Sequence, residues 1–184
     1  RLDDEGSANL VEDINPRVAC FVVYGQQPSA STQNMQGAID TAMALKRVNS
    51  SIPVLFVGAH VSALPREVLR TEPSVDYICQ NEGVYTISNL LAAIQSSNFD
   101  PGKVRGLGYR DEDGNPVLNE PERIVAKSDL SHDLPGMAWD LLPSIDKYRT
   151  AGWHSWSNNT DKAPFAALYT SLGCPFRCSF CCIN

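Results

Sequence analysis

The 184 residues are 43% hydrophobic and 20% charged, a globular composition with enough apolar side chains to bury a core and no sign of long disorder. A net charge of -6, with no local cluster of Lys and Arg, leaves no general electrostatic attraction for nucleic acid or anionic membrane, and neither is expected as a partner. No apolar run approaches the ~18 residues that span a bilayer, and the polar start Arg1, Leu2, Asp3, Asp4, Glu5 is unlike a signal peptide, so the expected address is the cytoplasm.

In chain order, residues 17–25 (RVACFVVYG) form a near-continuous apolar run with β-branched and aromatic members that ends in Gly, the pattern of a parallel strand buried on both faces. A polar loop over 26–34 follows. Met35, Ile39, Ala42, Met43 and Leu45 then recur near helical spacing, up to the breaker Asn49, Ser50, Ser51. Residues 52–58 (IPVLFVG) repeat the strand signal, and Pro65 suits the first turn of a short helix reaching Leu69. A third strand is expected over 75–79 (VDYIC), and Ile87, Leu90, Leu91 and Ile94 mark one face of a helix ending near Ser96. Strands alternating with helices imply βαβ units and a parallel sheet, so the first half reads as a Rossmann-like α/β layer. Ligands of such sheets sit at the carboxyl ends of the strands, here the loops beginning at Gly25, Gly58 and Gln80.

Beyond Asp100, Pro101, Gly102 the pattern changes: 104–110 and 116–118 flank Asp111, Glu112, Asp113, Gly114, Asn115, a hairpin signal with Asp-Gly in its turn. Residues 119–163 are rich in Pro, Ser and Asp and read as an irregular connector. Residues 165–171 are again apolar and β-prone, and run directly into Gly173 and the cysteines. The expected division is 1–97 for the Rossmann-like domain, 98–163 for a linker with a β-hairpin, and 164–184 for a strand and a cysteine loop. Both ends of the sequence are expected to be cuts through a longer protein.

Four of the six cysteines fall in the last eleven residues, a poor disulfide framework and a good metal site in a reducing compartment. Cys174, Cys178 and Cys181 stand at spacing C-x3-C-x2-C. Three thiolates so placed can each hold one iron of a cubane 4Fe-4S cluster and leave the fourth iron open. Zinc is the competing reading, but zinc sites usually pair two C-x2-C elements or add His, and no second element follows. Cys182 is either a spare thiol or a substitute for Cys181. Cys20 and Cys79 lie in apolar strands and read as small core residues.

The run Cys174, Pro175, Phe176, Arg177, Cys178, Ser179, Phe180, Cys181 resembles the cluster loop of the radical S-adenosylmethionine (SAM) enzymes. The resemblance implies that the open iron chelates SAM, that an electron from the cluster cleaves it to a 5'-deoxyadenosyl radical, and that Phe180 lies beside the adenine. With Val57, Gly58, Ala59, His60 after a strand, then Val75, Asp76, Tyr77, Ile78, the turn Asn81, Glu82, Gly83, and Trp139, Asp140, Leu141, Leu142, Pro143, the chain resembles the cobalamin-binding members of that family. That likeness covers most of the chain, on motifs shorter and less specific than the cysteine loop. It implies a Rossmann-like sheet of cobalamin-binding type, a hairpin linker and the truncated start of a radical SAM (β/α) barrel. It further implies that Gly25, Ser29, Ser31, Gly58, His60, Val61, Glu82 and Gly83 face the corrin. The same resemblance implies an external electron donor of flavodoxin or ferredoxin type and a small-molecule or biosynthetic-intermediate substrate. One element departs from the pattern: His60 lacks the surroundings of the D-x-H-x-x-G motif by which many such domains ligate cobalt. The alternatives are a radical SAM oxidoreductase or cyclase without cobalamin, and a non-enzymatic iron-sulfur or zinc module.

Overall fold

The structure is a computed structural model that describes residues 3–24 and 28–149, together with Pro164, Ala166, Phe176, Cys178 and Ser179; for Pro28 and Ser29 it describes the backbone alone. Its residues divide into two compact units, Arg1–Ala126 and Lys127–Asn184.

The first unit is a five-stranded sheet in the order β1 (Ala19–Val22), β2 (Val54–Val57), β3 (Tyr77–Cys79), β4 (Leu107–Arg110), β5 (Pro116–Leu118). The first three strands are parallel, with Phe21 opposite Phe56 and Phe56 opposite Ile78. β4 and β5 then add antiparallel, Ile78 facing Gly108 and Gly108 facing Leu118. The hairpin read from the sequence as part of a linker is thus joined to the sheet. Its turn forms as its residues require: Asp111 Oδ1 accepts the N–H groups of Asp113 and Asn115 at 3.0 and 2.7 Å, and Gly114 takes φ +81°.

The alternation of side chains along β2 creates two cores. Val54 and Phe56 point to a face covered by α1 (Asp4–Ile14), α2 (Pro28–Val48), α3 (Ala59–Ala63) and α4 (Pro65–Thr71), through Ala8, Met35, Ile39, Ala42, Leu45, Val61, Val68 and Leu69. Leu55 and Val57 point to the opposite face, where Leu90 of α5 (Val84–Gln95) packs with Cys79, Val104 and Leu107. Met43, counted above on the apolar face of its helix, is 46% exposed. α2 begins at Pro28, a full seven residues before its first large apolar side chain, and α3 was not legible at all. Both faces of β1 are not equally covered: Cys20 and Val22 are exposed, as befits a strand that pairs with β2 alone among the described residues.

The amino ends of these short strands are fixed by side chains. Asp76 Oδ2 accepts from Lys46 Nζ and from the Val54 N–H, both at 2.6 Å, while Lys46 also donates to Ile52 O at 2.8 Å. Arg110 donates from Nη1 and Nη2 to Val75 O at 2.6 and 2.7 Å, and from Nη2 to Glu72 O at 3.0 Å.

In the second unit α6 (Leu130–Asp133) and two short 3-10 turns at Trp139–Leu141 and Ile145–Lys147 punctuate an irregular chain, with one antiparallel bridge between Arg149 and Pro164. The strand expected over 165–171 lies outside the described residues.

Removing the Asp76 carboxylate leaves a half-buried lysine and a strand N–H without their acceptor. Asp76→Ala is expected to lower stability by about 2 kcal/mol, the usual cost of losing charged hydrogen bonds. Urea unfolding should show a lower midpoint at unchanged slope.

Candidate functional site

The carboxyl ends of the parallel strands are closed by a buried hydroxyl. Ser31, one turn into α2, is fully buried, and its Oγ donates to the Val23 carbonyl just past the end of β1. The same oxygen accepts the His60 N–H at 3.1 Å, in the first turn of α3. One side chain therefore ties β1, α2 and α3 together. A Cβ at Gly58 would lie 2.2 Å from Val23 O and 3.2 Å from Ser31 Oγ, and φ is +156° there, so only glycine fits between the two strand ends.

His60 stands half-buried beside this closure, its Nδ1 2.9 Å from Thr32 Oγ1. A hydroxyl thus orients the ring where the D-x-H-x-x-G motif would use a carboxylate. Val61 is fully buried in the core, so its side chain is spent on packing. Gly25 lies outside the described residues, and Ser29 is placed by its backbone in the first turn of α2.

The third strand end is a turn with two left-handed residues, Asn81 at φ 58° and Gly83 at φ 76°. Asn81 N–H donates to Ser62 Oγ of α3 at 2.8 Å. A Cβ on Gly83 would meet Val57 Cγ2 at 2.9 Å. Glu82 Oε2 accepts the Val125 N–H at 2.9 Å. The structure therefore brings Ser31, Gly58, His60 and Val61 together around one closure, and links the Glu82 turn to it through α3. Thr32, Ser62 and Asn81 complete the arrangement. No spacing or apolar periodicity marks them, because each acts through a single polar atom.

A cavity of about 370 Å³ lies at the other end of the sheet, lined by Pro73, Asp76, Tyr77, Pro101, Tyr109 and Arg110. Its charged residues, Asp76 and Arg110, bond to strand-end backbone and, for Asp76, to Lys46.

Of the cysteine loop, Cys178 is described and exposed; Cys174, Phe180, Cys181 and Cys182 lie outside the described residues. Among the described residues no group of three or more His, Cys, Asp or Glu could hold a metal ion. No helix among them is long and apolar enough to cross a membrane. Cys79 is buried as expected, and its thiol is pushed up to about 12, by burial first and by Cys20 second. Cys20 is exposed on the edge strand rather than in the core, although its neighbours bury it enough to raise its thiol too.

Residues 2–91 match the B12 binding domain family. Among curated proteins the chain is 33% identical over 153 residues to the uncharacterized methyltransferase PH0819 of Pyrococcus horikoshii, covering 83% of this chain and 30% of that protein. It is 28% identical over 155 residues to the anaerobic magnesium-protoporphyrin IX monomethyl ester cyclase of Rubrivivax gelatinosus, covering 83% of this chain and 26% of the relative. Among solved structures, the cobalamin-dependent S-adenosylmethionine radical enzyme OxsB with aqua-cobalamin bound superposes at a TM-score of 0.50 with 18% identity. The match covers 71% of this chain and 17% of that one, and it speaks for the fold. The chain thus spans under a third of the length of these relatives.

The cysteines should separate by reactivity. The thiolate is the reactive form, so a thiol raised to about 12 stays protonated at pH 8 and gains reactivity only as the pH climbs toward that value. Alkylation of the folded, metal-free chain at pH 8 is expected to label Cys178 and spare Cys79, with Cys79 labelled once the chain is unfolded. Mass mapping of the modified peptides reads the result.

Proposed function

We propose that this chain is the cobalamin-binding and cluster-loop portion of a radical SAM enzyme. The observation that carries the reading is the coexistence, on one chain, of a B12 binding domain over residues 2–91 and a C-x3-C-x2-C loop at Cys174, Cys178 and Cys181. The closed strand ends fit a large flat ligand: the Gly58 cradle keeps side-chain bulk away from the surface, and the turns at 58–61 and 81–83 flank it. In this reading the loops over 25–31, 58–61 and 81–83 hold the corrinoid, with the His60 ring fixed by Thr32. Cys174, Cys178 and Cys181 hold a 4Fe-4S cluster, and Phe180 packs beside bound SAM. When bound, the cluster and SAM supply a 5'-deoxyadenosyl radical and cobalamin supplies a carrier for a methyl group. The chain's own residues position and shield these groups. The electron comes from a flavodoxin or ferredoxin type donor, and the substrate is a small molecule or biosynthetic intermediate.

The similarity to a protein named as a cyclase favours a second reading of the outcome, ring formation rather than methyl transfer. Both readings share the cluster loop.

Two measurements test the proposal. Hydroxocobalamin titrated into the purified chain should change its visible absorbance and saturate at one equivalent; no change up to millimolar corrinoid removes cobalamin from the reading. In the full-length protein reconstituted anaerobically with iron and sulfide, Cys181→Ala should lose most bound iron and all SAM cleavage, as should Cys174→Ala and Cys178→Ala. Cys182→Ala should retain both. Survival in Cys181→Ala with loss in Cys182→Ala would reassign the third ligand, and stoichiometric zinc in place of iron would end the radical SAM reading.

A further inference from the structure

After β5 the chain does not leave the first unit at once. Residues 119–125 form no strand, yet all but Ile124 are held by named contacts. Asn119 N–H donates to Leu107 O at 3.0 Å, and its carbonyl accepts from Gln80 Nε2 at 3.0 Å. Asn119 Nδ2 donates to Pro101 O and Val104 O, both at 2.7 Å. Glu120 O accepts the Gly106 N–H at 2.8 Å, and Pro121 O accepts Arg105 Nη2 at 2.8 Å. Glu122 Oε2 accepts from Asn89 Nδ2 at 3.2 Å, and the Arg123 guanidinium lies 4.3 Å from the Tyr85 ring centre. The last tie is Glu82 Oε2 to the N–H of Val125, a residue only 6% exposed. The first compact unit ends one residue later, at Ala126.

We propose that Glu82 is a positioning residue: its carboxylate fixes the point at which the chain leaves the B12 binding domain, and ties that point to the strand-end turn that faces the ligand cleft. The second half of this statement rests on the functional reading above; the clamp itself does not. Without Glu82 the Val125 N–H loses its acceptor, and the last residues of the first unit keep only their other contacts.

The coupling to the cleft runs through one contiguous set of bonds. Glu82 sits between the two left-handed residues Asn81 and Gly83, a turn with little freedom to flex independently. Asn81 N–H is bonded to Ser62 Oγ, and Ser62 N–H to Gly58 O at 2.9 Å. The path Gly58, Ser62, Asn81, Glu82, Val125 thus joins the glycine cradle to the chain exit. A ligand that rigidifies the cradle rigidifies the exit along with it.

The test is amide hydrogen exchange at Val125 in the 184-residue chain, with trypsin cleavage after Arg123 as a second readout. In the ligand-free chain, Glu82→Ala should speed Val125 exchange at least tenfold and open the Arg123 site, while Asn89→Ala changes Val125 exchange less than threefold. Glu82→Gln, which keeps an acceptor oxygen and the size of the side chain, should fall between and guards against misfolding of the alanine variant. With hydroxocobalamin saturating each protein, Val125 exchange should slow in the wild type and stay fast in Glu82→Ala. Equal exchange in the ligand-free wild type and both Glu82 variants overturns the clamp, and slowing by corrinoid that persists in Glu82→Ala overturns the coupling. A wild type that takes up no corrinoid overturns the functional reading and the coupling together, with the ligand-free comparison still deciding the clamp.

Discussion

The carboxyl end of this sheet depends on one hydroxyl. Ser31 Oγ donates to Val23 O and accepts from His60 N, so the end of β1, the first turn of α2 and the start of α3 share a single buried atom. Burying a hydroxyl is unfavourable unless its bonds are made, and here both are. Gly58 is the necessary counterpart, since any Cβ there would strike the same carbonyl that Ser31 bonds. The two residues together set how closely β1 and β2 converge. They thereby set the position of the loops that leave these strand ends.

Strands of three and four residues cannot hold such a sheet through their ladders alone. The two ends are fixed by different chemistry. At the amino end the work is ionic, with Asp76, Lys46 and Arg110 bonding to strand-end backbone. At the carboxyl end it is neutral, with Ser31, Thr32, Ser62 and the left-handed turn at Asn81 and Gly83.

The parts legible in the sequence were those governed by apolar pattern. RVACFVVYG and IPVLFVG announce strands through their apolar, β-branched runs, although only β2 is buried on both faces while β1 exposes Cys20 and Val22, and Leu90 with Ile87 announces α5 by its apolar face. The first two turns of α2, Pro28 to Asn34, went unread because Ser31, Thr32, Gln33 and Asn34 show no apolar period. Ser31 is buried through hydrogen bonds, which periodicity does not count. The hairpin turn at Asp111 and Gly114 was legible, but its attachment to β3 was not. The clue lay in Gly108, where a Cβ would fall 2.7 Å from both Ile78 and Leu118, the mark of a strand squeezed between two partners. At the site, Gly58 and Gly83 could be named from position alone, whereas the second tasks of Val61 and Glu82 depend on contacts from residues far along the chain.

The six cysteines divide by environment, and the division bears on chemistry. Burial, with Cys20 as a second cause, pushes the Cys79 thiol up to about 12 and holds it in the protonated form near neutral pH. Cys20, on the edge strand of the sheet, is also held toward the protonated form. The first compact unit ends at Ala126, one residue past the Val125 N–H that Glu82 accepts. The turn at the end of β3 and the last residues of that unit share Glu82, so the sequence Asn81, Glu82, Gly83 answers to two demands at once. Its left-handed backbone serves the first, and its carboxylate serves the second.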